Sequence, residues 1–395
     1  MEIGLTRTSE YQDAPTVAGG EHAPNKHSRA VCPRPTSLRA GSLRIGVVGC
    51  GYWGAKHTRV LSSLSDVDEV ALIEPNAHSR DALAAAYPEA PTYSSLGAAL
   101  PNIDAVVIAT PPGTHADLAL QALRSGKHVL VEKPLATTSR EARLIVEEAG
   151  RSDRVLMVGH TFEFNPAVQE LRWQVEQDDF GDVYYIHSSR FNVDLYRSDV
   201  NVIWDLAPHD ISIMNYLLRS APTAVTAWGP GSGHVDVAYA RLDYGRVGVT
   251  GYVHVSWLDP KKTRQVTVVG RNKVATYNDL DAEGRVRIFD RTGEASAAAG
   301  SGGGGGPLAY GYGDSVAPCI DFKEPLVVED QHFIDCIIAM APPTADGVSG
   351  LVVVATLEAV ERSLSSGKTV ELDLPEHSGA DAVRMPRVLE IAEVR

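Results

Sequence analysis

Cysteine is scarce: Cys32, Cys50, Cys319 and Cys336 are the only four in 395 residues. They show no C-x-x-C pair and no Cys/His spacing of a metal site. No disulfide framework and no metal are therefore expected, and a reducing cytoplasm is the expected compartment. No apolar run approaches membrane-spanning length. The N-terminus, with an early Glu2 and no apolar core, does not read as a secretory signal. Basic residues are in the minority, 36 Lys and Arg against 50 Asp and Glu, for a formal net charge of −14. That balance argues against a protein that coats DNA or RNA, although a local Lys/Arg cluster can still hold a small anionic substrate. Internal repeats are absent. What remains is an ordinary globular composition, 44% hydrophobic and 22% charged, in a chain long enough for two domains.

The most informative stretch is Leu43-Arg-Ile-Gly-Val-Val-Gly49-Cys-Gly51-Tyr-Trp-Gly54. Ile45, Val47 and Val48 predict a strand buried on both faces. Three glycines follow in the spacing G-x-G-x-x-G, ahead of a helix beginning near Ala55. Gly49 permits a tight turn, Gly51 lets backbone N–H groups approach a pyrophosphate, and Gly54 lets the helix pack close to the strand. The helix N-terminus that results is an anion site. A second apolar strand over 70–73 ends in Glu74, twenty residues beyond Gly54, where an acid accepts hydrogen bonds from an adenosine ribose. A carboxylate there repels a 2′-phosphate, so NAD is expected over NADP, with Arg80 as the opposing signal. A plain glycine turn beside a surface glutamate is the structural alternative, and the strand–turn–helix context disfavours it.

The rhythm of the first half is β/α. Strands over 104–110, 128–132 and 155–159 alternate with helices over 79–87, 116–124 and 139–149. Ser79 is read as the cap of the first helix, and Thr114 with Asp117 resembles a capping box on the second. The expected fold is α/β, with a Rossmann doubly wound parallel sheet over 42–160 and a ligand at the carboxyl ends of its strands. Beyond Gly159 the pattern changes. Asn165 caps a helix that has Pro166 at its first position, a strand covers 183–190, and a helical stretch surrounds 204–218. Six strand-like runs over 224–228, 235–242, 247–257, 264–269, 273–277 and 285–289 then predict an open, mainly antiparallel sheet. Helices near 329–340 and 351–364 and a short strand over 369–372 complete a second α/β domain, 161–375. Residues 1–41 read as a disordered extension, 296–306 as a flexible Gly-rich loop and 376–395 as a polar tail.

Two places can carry chemistry. Lys133 lies between Glu132 and Pro134 at the end of a buried strand, where proline restricts the preceding residue. A lysine partly desolvated there can bond a substrate oxygen and share its proton; a snorkelling surface lysine is the alternative. In Trp204-Asp205-Leu-Ala-Pro208-His209-Asp210, Asp205 and His209 are four apart and share a face if the segment is helical. The carboxylate can then orient the imidazole or bind a sugar hydroxyl, and His209 can exchange a proton near neutral pH. Pro208 argues that the helix begins near it, which favours a capping aspartate and a structurally satisfied histidine. Arg190, Arg197, Lys261, Lys262 and Arg264 can meet a substrate phosphate or carboxylate, or be solvated or paired. The aromatic pairs Tyr184/Tyr185 and Tyr310/Tyr312 read as packing.

Taken together, the sequence resembles the glucose–fructose oxidoreductase/inositol dehydrogenase family, Gfo/Idh/MocA. The resemblance rests on the glycine fingerprint, Ala109-Thr110-Pro111-Pro112 with His115, Glu132-Lys133-Pro134, and Asp205-x-x-x-His209. It covers Leu43 to the final strand. It implies that Lys133 contacts the reacting hydroxyl, Asp205 binds substrate and His209 is the acid/base. It implies cofactor contacts from Gly49, Gly51, Tyr52, Trp53, Gly54, Glu74, Thr110, Pro111, His115, Glu132 and Lys133. To the substrate it assigns Lys133, Asp205 and His209, together with His160, Arg190, Asn192 and Arg197. A homodimer or homotetramer through the open sheet is also implied. Longer runs, Gly159-His-Thr-Phe162 with Asn165-Pro166, the stretch from Asp199 to Asp210, and Ser256-Trp-Leu-Asp-Pro260-Lys261, resemble the branch acting on nucleotide-linked sugars.

The expected function is therefore NAD-dependent interconversion of a sugar ring hydroxyl and ketone, at C3 of a nucleotide-linked (amino)sugar. A dehydrogenase of a free cyclitol, aminocyclitol or inositol is the second reading. A sugar-sensing protein that holds NAD without turnover is the third, and the set Lys133, Asp205 and His209 speaks against it. The expected partners are a small-molecule sugar or nucleotide sugar, with neither nucleic acid nor membrane.

Overall fold

A computed structural model describes residues 43–192, 200–230, 235–292 and 311–374. The apolar burst at its start is strand β1 (Leu43–Val48), with Ile45 and Val47 fully buried, as a strand covered on both faces requires. The alternation continues through α1 (Tyr52–Leu61), β2 (Val67–Ile73), α2 (Ala77–Ala84), β3 (Thr92–Tyr93), α3 (Leu96–Ala99) and β4 (Ala105–Ile108). It ends with α4 (His115–Arg124), β5 (His128–Glu132), α5 (Ser139–Ser152) and β6 (Leu156–Gly159). The six strands lie in the order β3-β2-β1-β4-β5-β6, every pair parallel. The chain leaves β1 for β2 on one side and resumes with β4 on the other, so the topological switch lies between β1 and β4. Ligands of such sheets bind in that crevice.

The remaining chain forms α6 (Pro166–Glu176), β7 (Val183–Phe191), α7 (Val202–Leu218), β8 (Ala224–Trp228), β9 (Val237–Tyr244) and β10 (Val249–Ser256). There follow β11 (Thr263–Gly270), β12 (Lys273–Asn278), β13 (Val286–Thr292), β14 (Gly311–Val316), α8 (Pro325–Ala339), α9 (Gly347–Ser366) and β15 (Val370–Glu371). The strands make a nine-stranded sheet, β14-β13-β12-β11-β7-β10-β9-β8-β15. Only β7 with β10 is parallel among the described pairs. Helices cover one face of this sheet. The other shows Tyr185, Trp228, Tyr239 and Tyr252 to solvent, with Trp228 stacked on Tyr239 at 5.9 Å between ring centres.

α9 is apolar on nearly every side, the mark of a helix with no solvent face. Its Leu351 and Val354 join the core around β4 and β5, while Val353, Leu357 and Val360 join the core under the nine-stranded sheet. α8 likewise places Phe333 and Ile334 against Ile45 and Val47 of β1. Residue 160 thus marks a change of rhythm, whereas the parallel sheet's core draws on distant C-terminal residues that periodicity cannot assign to a sheet.

Several local expectations are corrected. α2 is capped by Asn76, whose side chain accepts from Ser79 N–H, so Ser79 is the capped residue. The Thr114 hydroxyl makes no capping bond on α4; it donates to Pro111 O, 2.8 Å. α7 runs straight through Pro208, because Asn201 caps it seven residues earlier and its side chain accepts from the N–H groups of Ile203 and Trp204. β14 was not predicted. The N-terminal extension, Arg197, the Gly-rich loop and the C-terminal tail lie outside the described residues. Among those described, no helix is long and apolar enough to cross a membrane, and no group of three or more His, Cys, Asp or Glu is placed to hold a metal.

Candidate active site

The glycine turn follows β1 at the switch point. Gly49 has φ +98°, a left-handed conformation, and a Cβ there would meet Ala109 O at 2.7 Å. A Cβ on Gly54 would run into the Gly49 carbonyl oxygen, so α1 can pack this close only with glycine. Around Gly51 there is nothing within 4 Å of an added Cβ. That gap, at the N-cap of α1, fits a pyrophosphate approaching backbone N–H groups. Tyr52 (71% exposed) and Trp53 (39%) flank it. Glu74 sits at the same turn: its Oε2 accepts from Cys50 N–H at 3.1 Å and its Oε1 from Asn76 N–H at 2.9 Å. Arg80 donates to the Glu74 main-chain carbonyl, 2.8 Å. The opposing cation is thereby tied to backbone beside the acid.

From β4 comes the strand exit Thr110-Pro111, where Thr110 and Thr114 hydroxyls lie 2.7 Å apart. From β5 comes Lys133, half-buried, with a cis peptide to Pro134. Its Nζ donates to the Asp205 main-chain carbonyl at 3.2 Å, in the first turn of α7. The Asp205 carboxylate accepts from Trp257 Nε1 at 3.1 Å. One helical turn on, His209 lies edge-on to Phe162, with ring centres 4.9 Å apart. Its Nδ1 is buried without a hydrogen-bond partner among the described residues, so Asp205 does not orient the ring through that atom. Desolvation, aided by the charges of Lys133 and Arg190, holds His209 well below the usual imidazole range. The ring is therefore neutral at pH 7 and able to accept a proton.

Four expected ligand residues turn inward. Arg190 is 3% exposed and commits its guanidinium bidentately to Asp210, with Nε to Oδ2 at 2.9 Å and Nη2 to Oδ1 at 3.0 Å. It is corrected from substrate contact to buried ion pair. His115, 1% exposed, has its ring nitrogens 2.8 Å from the carbonyls of Pro134 and Thr110. It ties together the two strand-exit loops and presents nothing to a ligand. Glu132 is buried, with its carboxylate engaged by His57 and by Lys133 N–H, and is likewise corrected. His160 is 1% exposed and lies near His209. Asn192 is half-buried at the end of β7, its N–H donating to Ser256 O. Arg264 pairs with Asp279 at 3.0 Å, while Lys261 and Lys262 are exposed beyond Trp257.

Two partners escaped sequence reasoning. Trp257 was part of a recognised run but carried no role, and His57 carried no signal beyond its place in α1. Only long-range packing brings the first to Asp205 and the second to Glu132.

Residues 43–160 match the family model described as oxidoreductase family, NAD-binding Rossmann fold, and residues 168–276 match the GFO/IDH/MocA C-terminal domain. The chain is 29% identical over 316 residues to a UDP-N-acetylglucosamine 3-dehydrogenase of Acidithiobacillus ferrooxidans, covering 79% of this chain and 94% of that protein. A solved structure of that dehydrogenase, GnnA, superposes with a TM-score of 0.69 at 26% identity, over 82% and 98% of the two chains. An inositol 2-dehydrogenase of Rhizobium meliloti is 27% identical over 342 residues, 84% of this chain and 99% of that one. The WlbA dehydrogenase of Bordetella pertussis, solved with NADH and UDP-GlcNAcA, shares the fold at a TM-score of 0.68 and 23% identity, over 85% and 100%.

Proposed function

The chain belongs to the Gfo/Idh/MocA oxidoreductase family, and from that premise we propose that it oxidises or reduces a ring carbon of a nucleotide-linked (amino)sugar, at C3, with NAD as hydride partner. The observation that carries this reading is the convergence of Lys133, Asp205 and a neutral His209 beside the switch-point crevice. Glu74, held at the glycine turn by two backbone N–H groups, favours a ribose with free hydroxyls and so NAD over NADP.

When bound, the dinucleotide supplies a two-electron acceptor. His209 takes the hydroxyl proton as the C–H bond gives up its hydride, and Lys133 bonds the same oxygen and steadies its developing charge. Asp205, fixed by Trp257, binds a neighbouring hydroxyl and sets the ring's orientation. Such positioning is worth ~7 kcal/mol or more of barrier. Lys261 and Lys262, exposed beyond Trp257, are cations of the kind that binds a diphosphate. The likeness to inositol 2-dehydrogenase supports the second reading, a free cyclitol.

The test is NADH formation by the purified chain with UDP-N-acetylglucosamine and, separately, myo-inositol, each with NAD and with NADP. We expect turnover with the nucleotide sugar and NAD, inhibited by UDP. Turnover on inositol that UDP leaves untouched favours the cyclitol. Lys133→Met is expected to lower kcat about 1,000-fold with NADH binding retained. Unchanged turnover in that variant removes Lys133 from the mechanism, and no response to any sugar revives the sensor. A homodimer or homotetramer joined through the aromatic outer face is expected, and light scattering that returns a monomer mass excludes it.

A further inference from the structure

Behind the Lys133 corner lies a cluster of buried ionisable side chains that the reaction does not use. His57 of α1 is fully buried, its Nδ1 2.8 Å from Asp330 Oδ1 and its Nε2 3.2 Å from Glu132 Oε1. Both ring nitrogens face carboxyl oxygens, and with both acids ionised these only accept, so the ring then carries a hydrogen on each. Burial works against that charge, but Asp330 and Glu132 outweigh it and lift His57 well above the usual imidazole range. Glu329 completes the group, taking a hydrogen bond from the Thr161 hydroxyl at 2.8 Å. Burial, reinforced by Glu132, raises Glu329 well above the usual carboxylate range. The cluster thus avoids holding three negative charges.

Glu132 has its two oxygens divided. Oε1 meets His57, while Oε2 accepts the main-chain N–H of Lys133 at 3.1 Å. On the neighbouring strand, a Cβ at Gly159 would lie 3.1 Å from Glu132 Oε2 and from its Cα. The carboxylate therefore lies flat against β6, confined on that side by backbone. An unbroken chain of contacts runs from the helix that starts at the glycine turn, through His57 and Glu132, to the backbone of Lys133.

We propose that His57 is a positioning residue for the redox reaction: it clamps Glu132 so that the carboxylate holds the Lys133 backbone, and through it aims the Lys133 amine at the reacting oxygen. The inference rests on the role given to Lys133 above. It assigns a job to the buried group without adding a participant to the chemistry.

The test compares the full chain with His57→Leu, His57→Gln and Lys133→Met. NADH affinity is read by fluorescence, and kcat and KM with UDP-N-acetylglucosamine and NAD. Lys133 acylation by an amine-reactive ester is read by peptide mass spectrometry against exposed Lys262. Misaiming a reacting group by an ångström costs about 100-fold, so His57→Leu is expected to lower kcat by about that factor with KM and NADH affinity little changed. His57→Gln retains one donor toward Glu132 and is expected to recover much of the loss. In both variants Lys133 labels faster than in wild type, relative to Lys262.

Wild-type kcat and labelling in His57→Leu overturn the inference. So does a loss of NADH affinity and kcat together, without any change in Lys133 labelling, because that pattern is only a loosened fold. If His57→Leu does not fold, His57→Gln carries the comparison. If the nucleotide sugar is not turned over, the labelling ratio decides alone. Lys133→Met retaining full turnover sinks the role of Lys133 instead, a result distinct from failure at His57.

Discussion

His57 on α1 and His209 on α7 both lose solvation, which lowers proton affinity in each case. Their neighbours differ in sign. His57 sits between the carboxylates of Asp330 and Glu132 and keeps its proton. His209 feels Lys133 and Arg190 and gives its proton up. The same side chain is held as a cation in one lobe and, in the proposed reaction, is the base in the other. The difference teaches that a buried imidazole is defined by the charges packed around it, and the burial alone leaves its role undecided.

The largest expected effect breaks this comparison at the base. His209→Asn is predicted to lower kcat for sugar oxidation about 1,000-fold, leaving NADH affinity close to wild type. In wild type, kcat must fall as pH drops through the His209 pKa, because the protonated ring cannot accept. That acid limb is expected well below pH 6.5, and its persistence in the residual rate of His209→Asn assigns it to another group.

The smaller effect sharpens the comparison at the cation. A histidine whose folded pKa is raised adds stability that is complete below its unfolded value, about 6.5. That stability is lost as pH climbs through the folded pKa. Asp330→Asn takes away the nearer carboxylate and should cost about 3 kcal/mol near neutrality. His57 then releases its proton earlier, and the alkaline loss of stability shifts to lower pH. Denaturant melts across pH check this; parallel curves for the two proteins show that Asp330 does not hold the proton.

Much of the architecture was legible because local chemistry dictates it. Gly49, Gly51 and Gly54 mark a turn that needs missing side chains, and β-branched runs mark buried strands. Asn165 before Pro166 marks a helix start, and α6 begins there as expected. Pro208 misled, since its destabilising effect is local while the cap at Asn201 and the packing of α7 override it. Arg190 misled for another reason: an arginine on a strand reads as a cation available to a ligand until the position of Asp210 is known. Glu132 and His115 sit in the expected motif, yet their side chains point inward to hold it.

Whereas the Lys133, Asp205 and His209 set was singled out by family resemblance, short-range pattern determined the dinucleotide turn, the alternating lobe and the switch to antiparallel strands. Such features depend on residues within a few positions of one another, where sterics and periodicity act directly. Tertiary structure alone decided which charges meet: His57 with Asp330 is a contact across 273 residues of chain, and Trp257 with Asp205 one across 52. Proton affinities follow from those meetings through desolvation and Coulomb terms, which act through space and leave no trace in the spacing of the residues.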